Sequence, residues 1–323
     1  MEVITDQGGG QVPEGGTVVT IGAYDGVHMG HRGLISEVRA RAGAAGLASA
    51  VVTFDRHPAT VVRPGSAPRL LTDLGQKLEL LAGTGVDCTV VVTFDRARSE
   101  ESAEDFVTEV LVGRLAARVV VVGRDFHFGH GRKGDVGLLT EMGADWGFEV
   151  MGRELLAAGE DGADGEDGAP VSSTRIRRLL TAGSVEAAGA LLGRPHEVRG
   201  GVERGDGRGG AVLGYPTANV AVPEEILVPG EGVYAGWYER PGGAVHAAAV
   251  SVGRRPTFYD DGPSGLEAHL LDFDGDLYGE PARVRFVARL RDDRQFDTTD
   301  DLVAEMDRDV ARARSVLTLP LRD

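Results

Sequence analysis

Cysteine is almost missing. The single Cys88 can close no disulfide within the chain, and its apolar run, Val86–Val92, suits a small buried residue better than a nucleophile. Basic charge is also in deficit: 34 Lys and Arg stand against 50 Asp and Glu, a formal charge of −16. That excludes a general nucleic-acid binder, whose surface must neutralise phosphates. A nucleotide substrate stays open, because such sites work with local amides, a few cations and a metal. No apolar run approaches the ~18–20 residues of a membrane span. The opening MEVITDQGGGQVPEGG lacks both the basic start and the apolar core of a signal peptide. The expectation is a cytoplasmic protein with neither nucleic acid nor membrane as partner; the oligomeric state is left open.

What is present falls into two halves. Short, continuous apolar or β-branched runs at Thr17–Ile21, Ala48–Phe54, Thr89–Phe94 and Arg118–Val122 suit strands buried on both faces. Helical patterns at Arg32–Ala44, Asp73–Leu81, Ala103–Leu111 and Val136–Trp146 lie among them. Such alternation predicts an α/β domain, a doubly wound Rossmann-like sheet with its site at the strand C-termini. Gly159–Pro170 (GEDGADGEDGAP) has acids and glycines without an apolar anchor and predicts a disordered surface loop, or else an acidic regulatory or metal-binding one. Helices are predicted over Val171–Leu180 and Ser184–Leu192, and a domain boundary near Gly193, giving domains 1–192 and 193–323. Beyond it, β-rich runs at Gly232–Tyr238, Ala244–Val252, Leu266–Phe273 and Ala282–Leu290, broken by Gly, Pro and Asp, predict an antiparallel β-barrel. Thr299–Ser315 closes the chain as a packing helix, with Leu302, Met306, Val310 and Ala313 on one face.

Ile21–His31 (IGAYDGVHMGH) runs from a predicted strand into a helix. Gly22, Gly26 and Gly30 let backbone approach a ligand, and the helix start offers free N–H groups to phosphate. His28 and His31, three apart, can face one side of the first turn and stabilise charge on a departing pyrophosphate; a metal pair is the alternative. Asp25 either orients a histidine or a metal's water shell, or caps the helix entry. Ser172, Ser173 and Thr174 at a helix start, followed by Arg177, suit a phosphate cradle, against an ordinary N-cap. His57 and Pro58 end a strand, where a site-facing imidazole and a structural one are both open.

In the second half, Gly205, Gly207, Gly209 and Gly210 make a loop able to fold over phosphates, or a plain flexible hairpin. Thr217 and Asn219 are two apart, so in extended chain they project to one face and can complete the oxygen shell of Mg²⁺ together with ATP phosphates.

GVHMGH is similar to the HxGH signature of the nucleotidylyltransferase superfamily. The longer IGAYDGVHMGH, with TFDRHP, GRDFHFG and SSTRIR in order, resembles the prokaryotic FAD synthetases, with Tyr24 where Phe is usual and Arg124 where an acid is often found. LGYPTAN, GVYAG, SVGRRPTF and LEAHLLDFDGDLYG resemble riboflavin kinase, with Tyr215 in place of Phe and Ser251 in place of Asn. Together they resemble the bifunctional riboflavin kinase/FMN adenylyltransferase family across nearly the whole chain. The resemblance implies two ATP-dependent steps, riboflavin to FMN and FMN to FAD, with Mg²⁺. It implies Glu267 as general base of the kinase step, against a strand-face salt bridge, and His28 and His31 as the groups of adenylyl transfer. Nucleotide contacts are implied at Gly22, Asp25, Gly30, Ser172–Thr174, Arg177, Gly205, Gly209, Thr217 and Asn219. Flavin contacts are implied at His57, Pro58, Asp125 and Phe126, with Arg291 contacting flavin or phosphate.

Overall fold

The computed structural model describes residues 1–5, 14–154, 168–204, 215–254 and 264–318. In the first half β1 (Glu2–Thr5), β2 (Thr17–Ile21), α1 (Met29–Ala45), β3 (Ala48–Phe54), α2 (Pro58–Val62), α3 (Leu74–Ala82) and β4 (Cys88–Val92) follow one another. Then come α4 (Arg96–Ser99), α5 (Ala103–Phe106) running into a wider-wound turn to Arg114, β5 (Ala117–Gly123), α6 (Val136–Trp146) and β6 (Glu149–Arg153). The six strands form one parallel sheet in the order β1-β4-β3-β2-β5-β6. Both faces are covered. Val19, Val52, Val90 and Val120 belong to one core, while their neighbours Val18 and Val121 pack with Val38 and Ala42 of α1 on the other. Cys88 is buried in β4, as expected, and burial pushes its thiol pKa up to about 11.

The direction of winding reverses between β2 and β5, and that reversal opens a crevice at the strands' carboxyl ends. The histidine segment leaves β2 there, and Asp125 and Phe126 follow β5. β1 and β6, which carried no strand signal, are the sheet's two edges; β6 is only partly buried, so its composition is not forced to be apolar.

The second half begins with α7 (Ser173–Thr181) and α8 (Val185–Leu192) and continues as β7 (His196–Glu203), β8 (Ala218–Ala221), β9 (Gly232–Glu239), β10 (Val245–Arg254), β11 (Ser264–Leu270), β12 (Pro281–Arg291) and α9 (Thr299–Val316). The strands close an antiparallel barrel in the order β10-β11-β8-β7-β12-β9. Tyr234, Val250, Ala268, Val284 and Phe286 are fully buried. α9 packs on the barrel through part of the expected face, Ala313 lying in a cluster with Ala235, Leu271 and Leu317 and Val310 packing against it, but carboxylates are buried beside it. Its buried positions are Glu305, Asp309 and Ala313; the carboxylates are tolerated because Arg291, Arg294, Arg308 and Arg312 pair with them.

By packing, residues up to 154 and 168–172 form one compact unit and those from Ser173 onward the other. Arg289 of β12 joins the two helices of the second unit to its barrel. It donates to Ala182 O and Glu231 O, both at 2.7 Å, and its own N–H reaches Glu186 Oε1 at 3.0 Å, so the α7–α8 hairpin is tied to the barrel. The expected acidic loop lies outside the described residues from 159 to 167. Gly183, at the hairpin's turn, has φ +76°, and a Cβ there would come within 1.9 Å of Arg289 Nη1. Gly183→Ala is expected to destabilise this unit by about 1–3 kcal/mol, read as a lower urea midpoint with an unchanged m-value.

Candidate active sites

The turn after β2 is held in an unusual conformation. Tyr24 (φ +50°), Gly26 (φ +84°) and Val27 (φ +38°) all lie in the left-handed region, which a β-branched residue such as Val27 rarely enters. Asp25 is what fixes it. Its buried carboxylate accepts the Leu71 N–H at 2.9 Å, the Thr72 N–H at 3.1 Å and the Thr72 hydroxyl at 3.3 Å, while the Gly26 N–H donates to Thr72 Oγ1 at 3.1 Å. Asp25 thus pins a strained turn to a loop 46 residues away, while the cap of the helix that follows is His28. Tyr24's extra hydroxyl is satisfied by Thr20 Oγ1 at 2.8 Å.

The turn delivers His28 as the N-cap of α1, its Nδ1 accepting the His31 N–H at 3.3 Å. The two imidazoles stack, centroids 3.6 Å apart at 17°. His31 Nδ1 is buried without a partner. Burial holds the His31 pKa well below the ordinary imidazole value, and repulsion from His28 and Lys77 adds to it. Gly30 is required by closeness: a Cβ would stand 3.2 Å from His28 Nδ1 and from Val171 O. Among the described residues no third His, Cys, Asp or Glu joins the pair into a metal-holding group.

The other expected residues of this half take definite places. Gly22 still donates to Val52 O at 3.0 Å as the chain leaves β2. His57 caps α2, its Nδ1 accepting the Ala59 N–H at 3.1 Å, with Pro58 opening the helix. Asp125 is exposed; Phe126 stacks on Phe128 at 5.4 Å. Arg124 makes an exposed ion pair with Glu154 at 3.1 Å. Ser173 and Thr174 open α7, with Ser172 just before it and Arg177 one turn on.

On the barrel, strand register assembles the second cluster. Asn219 of β8 and Ser251 of β10 lie directly opposite Glu267 of β11, one on each side, so the three form a row across neighbouring strands. The Thr217 hydroxyl donates to Glu267 Oε2 at 3.3 Å. Around it, Tyr215 bonds Asp307 of α9, and His269 Nδ1 lies 2.9 Å from Pro216 O. Gly205 and Gly209 lie outside the described residues. Arg291 is gripped by Asp309, through Nε at 3.0 Å and Nη2 at 2.8 Å, and ties β12 to α9. His246 packs edge-on against Phe273.

Sequence reasoning missed Lys77. It is buried in α3, and its ammonium donates to Phe54 O at 2.7 Å and Ala23 O at 3.4 Å. A signal existed: Lys77 and Lys133 are the two lysines among 34 basic residues.

Comparison with known proteins now adds to this geometry. Residues 11–163 match the FAD synthetase family and residues 192–317 the riboflavin kinase family; Ser172–Arg177 fall in neither. A bifunctional riboflavin kinase/FMN adenylyltransferase from Listeria monocytogenes is 38% identical over 92% of this chain and 91% of its own length. The chain belongs to the bifunctional riboflavin kinase/FMN adenylyltransferase family. Another member, from Escherichia coli, is 36% identical over 96% of this chain and 95% of its own. A crystal structure described as a macrolide-efflux protein from Streptococcus pneumoniae superposes with a TM-score of 0.82 at 28% identity, covering 97% of this chain and 99% of that one. Efflux is said of that protein alone; among the described residues here no helix is long and apolar enough to cross a membrane. Within the family's FAD synthetase segment, Asp25→Ala would leave the buried Leu71 and Thr72 N–H groups unpaired. It is expected to cost about 2–4 kcal/mol of this unit's stability, read by urea unfolding.

Proposed function

We infer that the chain makes flavin cofactors in two steps: the barrel phosphorylates riboflavin with ATP to FMN, and the parallel-sheet unit adenylylates FMN with a second ATP to FAD, releasing pyrophosphate. The observation that carries this reading is that each matched family segment brings its own polar cluster together, the stacked histidines in one and the Asn219–Glu267–Ser251 row in the other.

In adenylyl transfer a phosphate oxygen of FMN attacks the α-phosphorus of ATP as the bond to pyrophosphate breaks, so no side-chain nucleophile is needed. With His28 Nδ1 accepting the His31 N–H, the neutral His28 ring carries its proton on Nε2 and donates from there. His31 is held neutral by its surroundings and adds a second uncharged donor. Both stabilise charge as it develops on the leaving pyrophosphate. Gly22 and Gly30 keep the backbone open to the nucleotide. Ser172, Ser173, Thr174 and Arg177 keep the phosphate-holding role that the family resemblance gives them, and His57, Pro58, Asp125 and Phe126 the flavin contacts.

In the kinase step Glu267 accepts the proton of the ribityl 5′-hydroxyl as its oxygen attacks the γ-phosphorus and ADP departs. Thr217 and Asn219 would hold Mg²⁺: a hydroxyl and an amide oxygen beside a carboxylate are the donors a hard cation takes. Bound with ATP, the ion supplies charge neutralisation on the phosphates. Thr217 also donates to Glu267 and so orients the base.

Glu267→Gln is expected to cut FMN formation by about 10²-fold or more while FMN-to-FAD conversion stays intact. The double change His28→Ala with His31→Ala should do the reverse. Chromatography of products from riboflavin or FMN, each with Mg²⁺ and ATP, reads both. A folded variant that lost both activities would overturn the division of labour.

A further inference from the structure

Lys77 is the one buried ammonium that the reaction as described does not use. It lies on α3, 7% exposed, and its Nζ bonds two backbone carbonyls, Phe54 O at 2.7 Å and Ala23 O at 3.4 Å. Those carbonyls belong to the two segments that leave β2 and β3 at the crevice end of the sheet. Ala23 opens the turn that carries His28 and His31; Phe54 ends the strand that leads to His57. Thr53 Oγ1 shares Ala23 O at 3.2 Å, so that carbonyl is a junction between the two strands.

A buried ammonium is an expensive way to join two carbonyls, since desolvation opposes the charge. Among the described residues Lys77 forms no ion pair; Asp25, on the turn after β2, and Asp55, just past β3, act on it only at longer range. A neutral donor would hold the same carbonyls more cheaply, so the charge itself has a use. It lies at the carboxyl ends of the strands, where α/β sheets of this winding bind their ligands, and the ligands here are polyphosphates. Composition agrees: among 34 basic residues lysine is kept at two positions. An arginine's planar fork would not replace a compact ammonium between two carbonyls.

We propose that Lys77 is a positioning residue for FMN adenylylation: its ammonium clamps the turn after β2 to the end of β3 and so sets the backbone from which His28 and His31 are presented. This rests on assigning adenylylation to the parallel-sheet unit. A consequence concerns pH. The groups that act on His31 are His28 on its own helix entry and Lys77 on α3, and both lower its pKa. Removing the Lys77 charge lets the His31 pKa rise. A larger fraction of His31 is then protonated at a given acid pH, so the acid limb of the adenylylation profile moves to higher pH.

The test uses the full chain with Lys77→Met, which keeps the apolar stem, and Lys77→Gln, which keeps donors without charge. FMN adenylylation and riboflavin phosphorylation are measured side by side with Mg²⁺ and ATP, across about pH 5–9. The expected result for both variants is a fall in adenylylation kcat of about tenfold or more, with KM for ATP changed less than about threefold. The acid limb moves up, and riboflavin phosphorylation is unaltered. Folded variants with the parent kcat and acid limb overturn the proposal. Variants that lose the fold of the N-terminal unit assign Lys77 to stability alone and overturn it equally. The His28/His31 double variant runs in the same series: if it still adenylylates FMN, the underlying assignment of the reaction fails, whatever Lys77 does.

Discussion

A buried carboxylate holding backbone in a conformation it would not adopt alone is the constraint on which the first site depends. Tyr24 and Val27 sit at positive φ, a strain of about 1–3 kcal/mol each. Hydrogen bonds from Leu71 and Thr72 to Asp25, charge-assisted and shielded from water, are of comparable size, about 1.5–3 kcal/mol apiece. The strain therefore persists only while that loop is docked. What the turn achieves is direction. It takes the chain from the end of β2 into α1 so that His28 caps the helix and His31 stacks upon it. An unstrained turn would relax the spacing between the histidines and lose the preorganisation that electrostatic catalysis requires.

The barrel reaches the same end by strand register rather than strain. Side chains alternate faces with a period of two, so Glu267 faces its partners only while β11 is paired with β8 and β10 as observed. A one-residue slip would turn the carboxylate to the opposite face. The register is supported from outside the row: Tyr215 is tethered to Asp307 and His269 contacts Pro216 O, so the Tyr215–Asn219 segment is held at both its ring and its backbone. Tyr215, which stands where relatives commonly have Phe, is accommodated by giving its hydroxyl a carboxylate partner.

Fold class was legible because buried parallel strands must be apolar on both faces, which leaves runs such as Thr17–Ile21 and Ala48–Phe54 with little other reading. The edges β1 and β6 were not legible, since an edge strand is free of that demand. Thr217 and Asn219 could be named from their spacing and Glu267 from the family resemblance; register sets Asn219 beside Glu267 and a hydrogen bond adds Thr217. The role of Asp25 was hidden for a different reason: its partners, Leu71 and Thr72, are distant in sequence and contribute backbone N–H groups and a hydroxyl, which leave no side-chain pattern to find. Lys77 escaped for the same cause, its two acceptors being main-chain carbonyls. Arg289 ties α7 and α8 to the barrel through main-chain carbonyls as well.

A chain of charge −16 that handles polyanions looks contradictory until the carboxylates are followed to their partners. Glu305 and Asp309 are surrounded by arginines, Glu197 is paired with Arg199 and Arg285, Asp272 with Arg314, and Asp25 with backbone donors. Each of these is spent locally. Exposed charges beyond about 8 Å are screened at physiological ionic strength, so a remote acidic surface contributes little to the field inside a cleft. In the parallel-sheet unit one cation is set among carbonyl acceptors. Lys77's ammonium is buried there with its carboxylates at longer range, and its pKa is pushed down to about 8 by desolvation. A phosphate approaching that cation would offset the cost, since an anion favours the charged form that burial opposes. A phosphate can be held here without a basic surface, because the start of α1 offers backbone N–H groups and burial keeps the His31 pKa below the ordinary imidazole value.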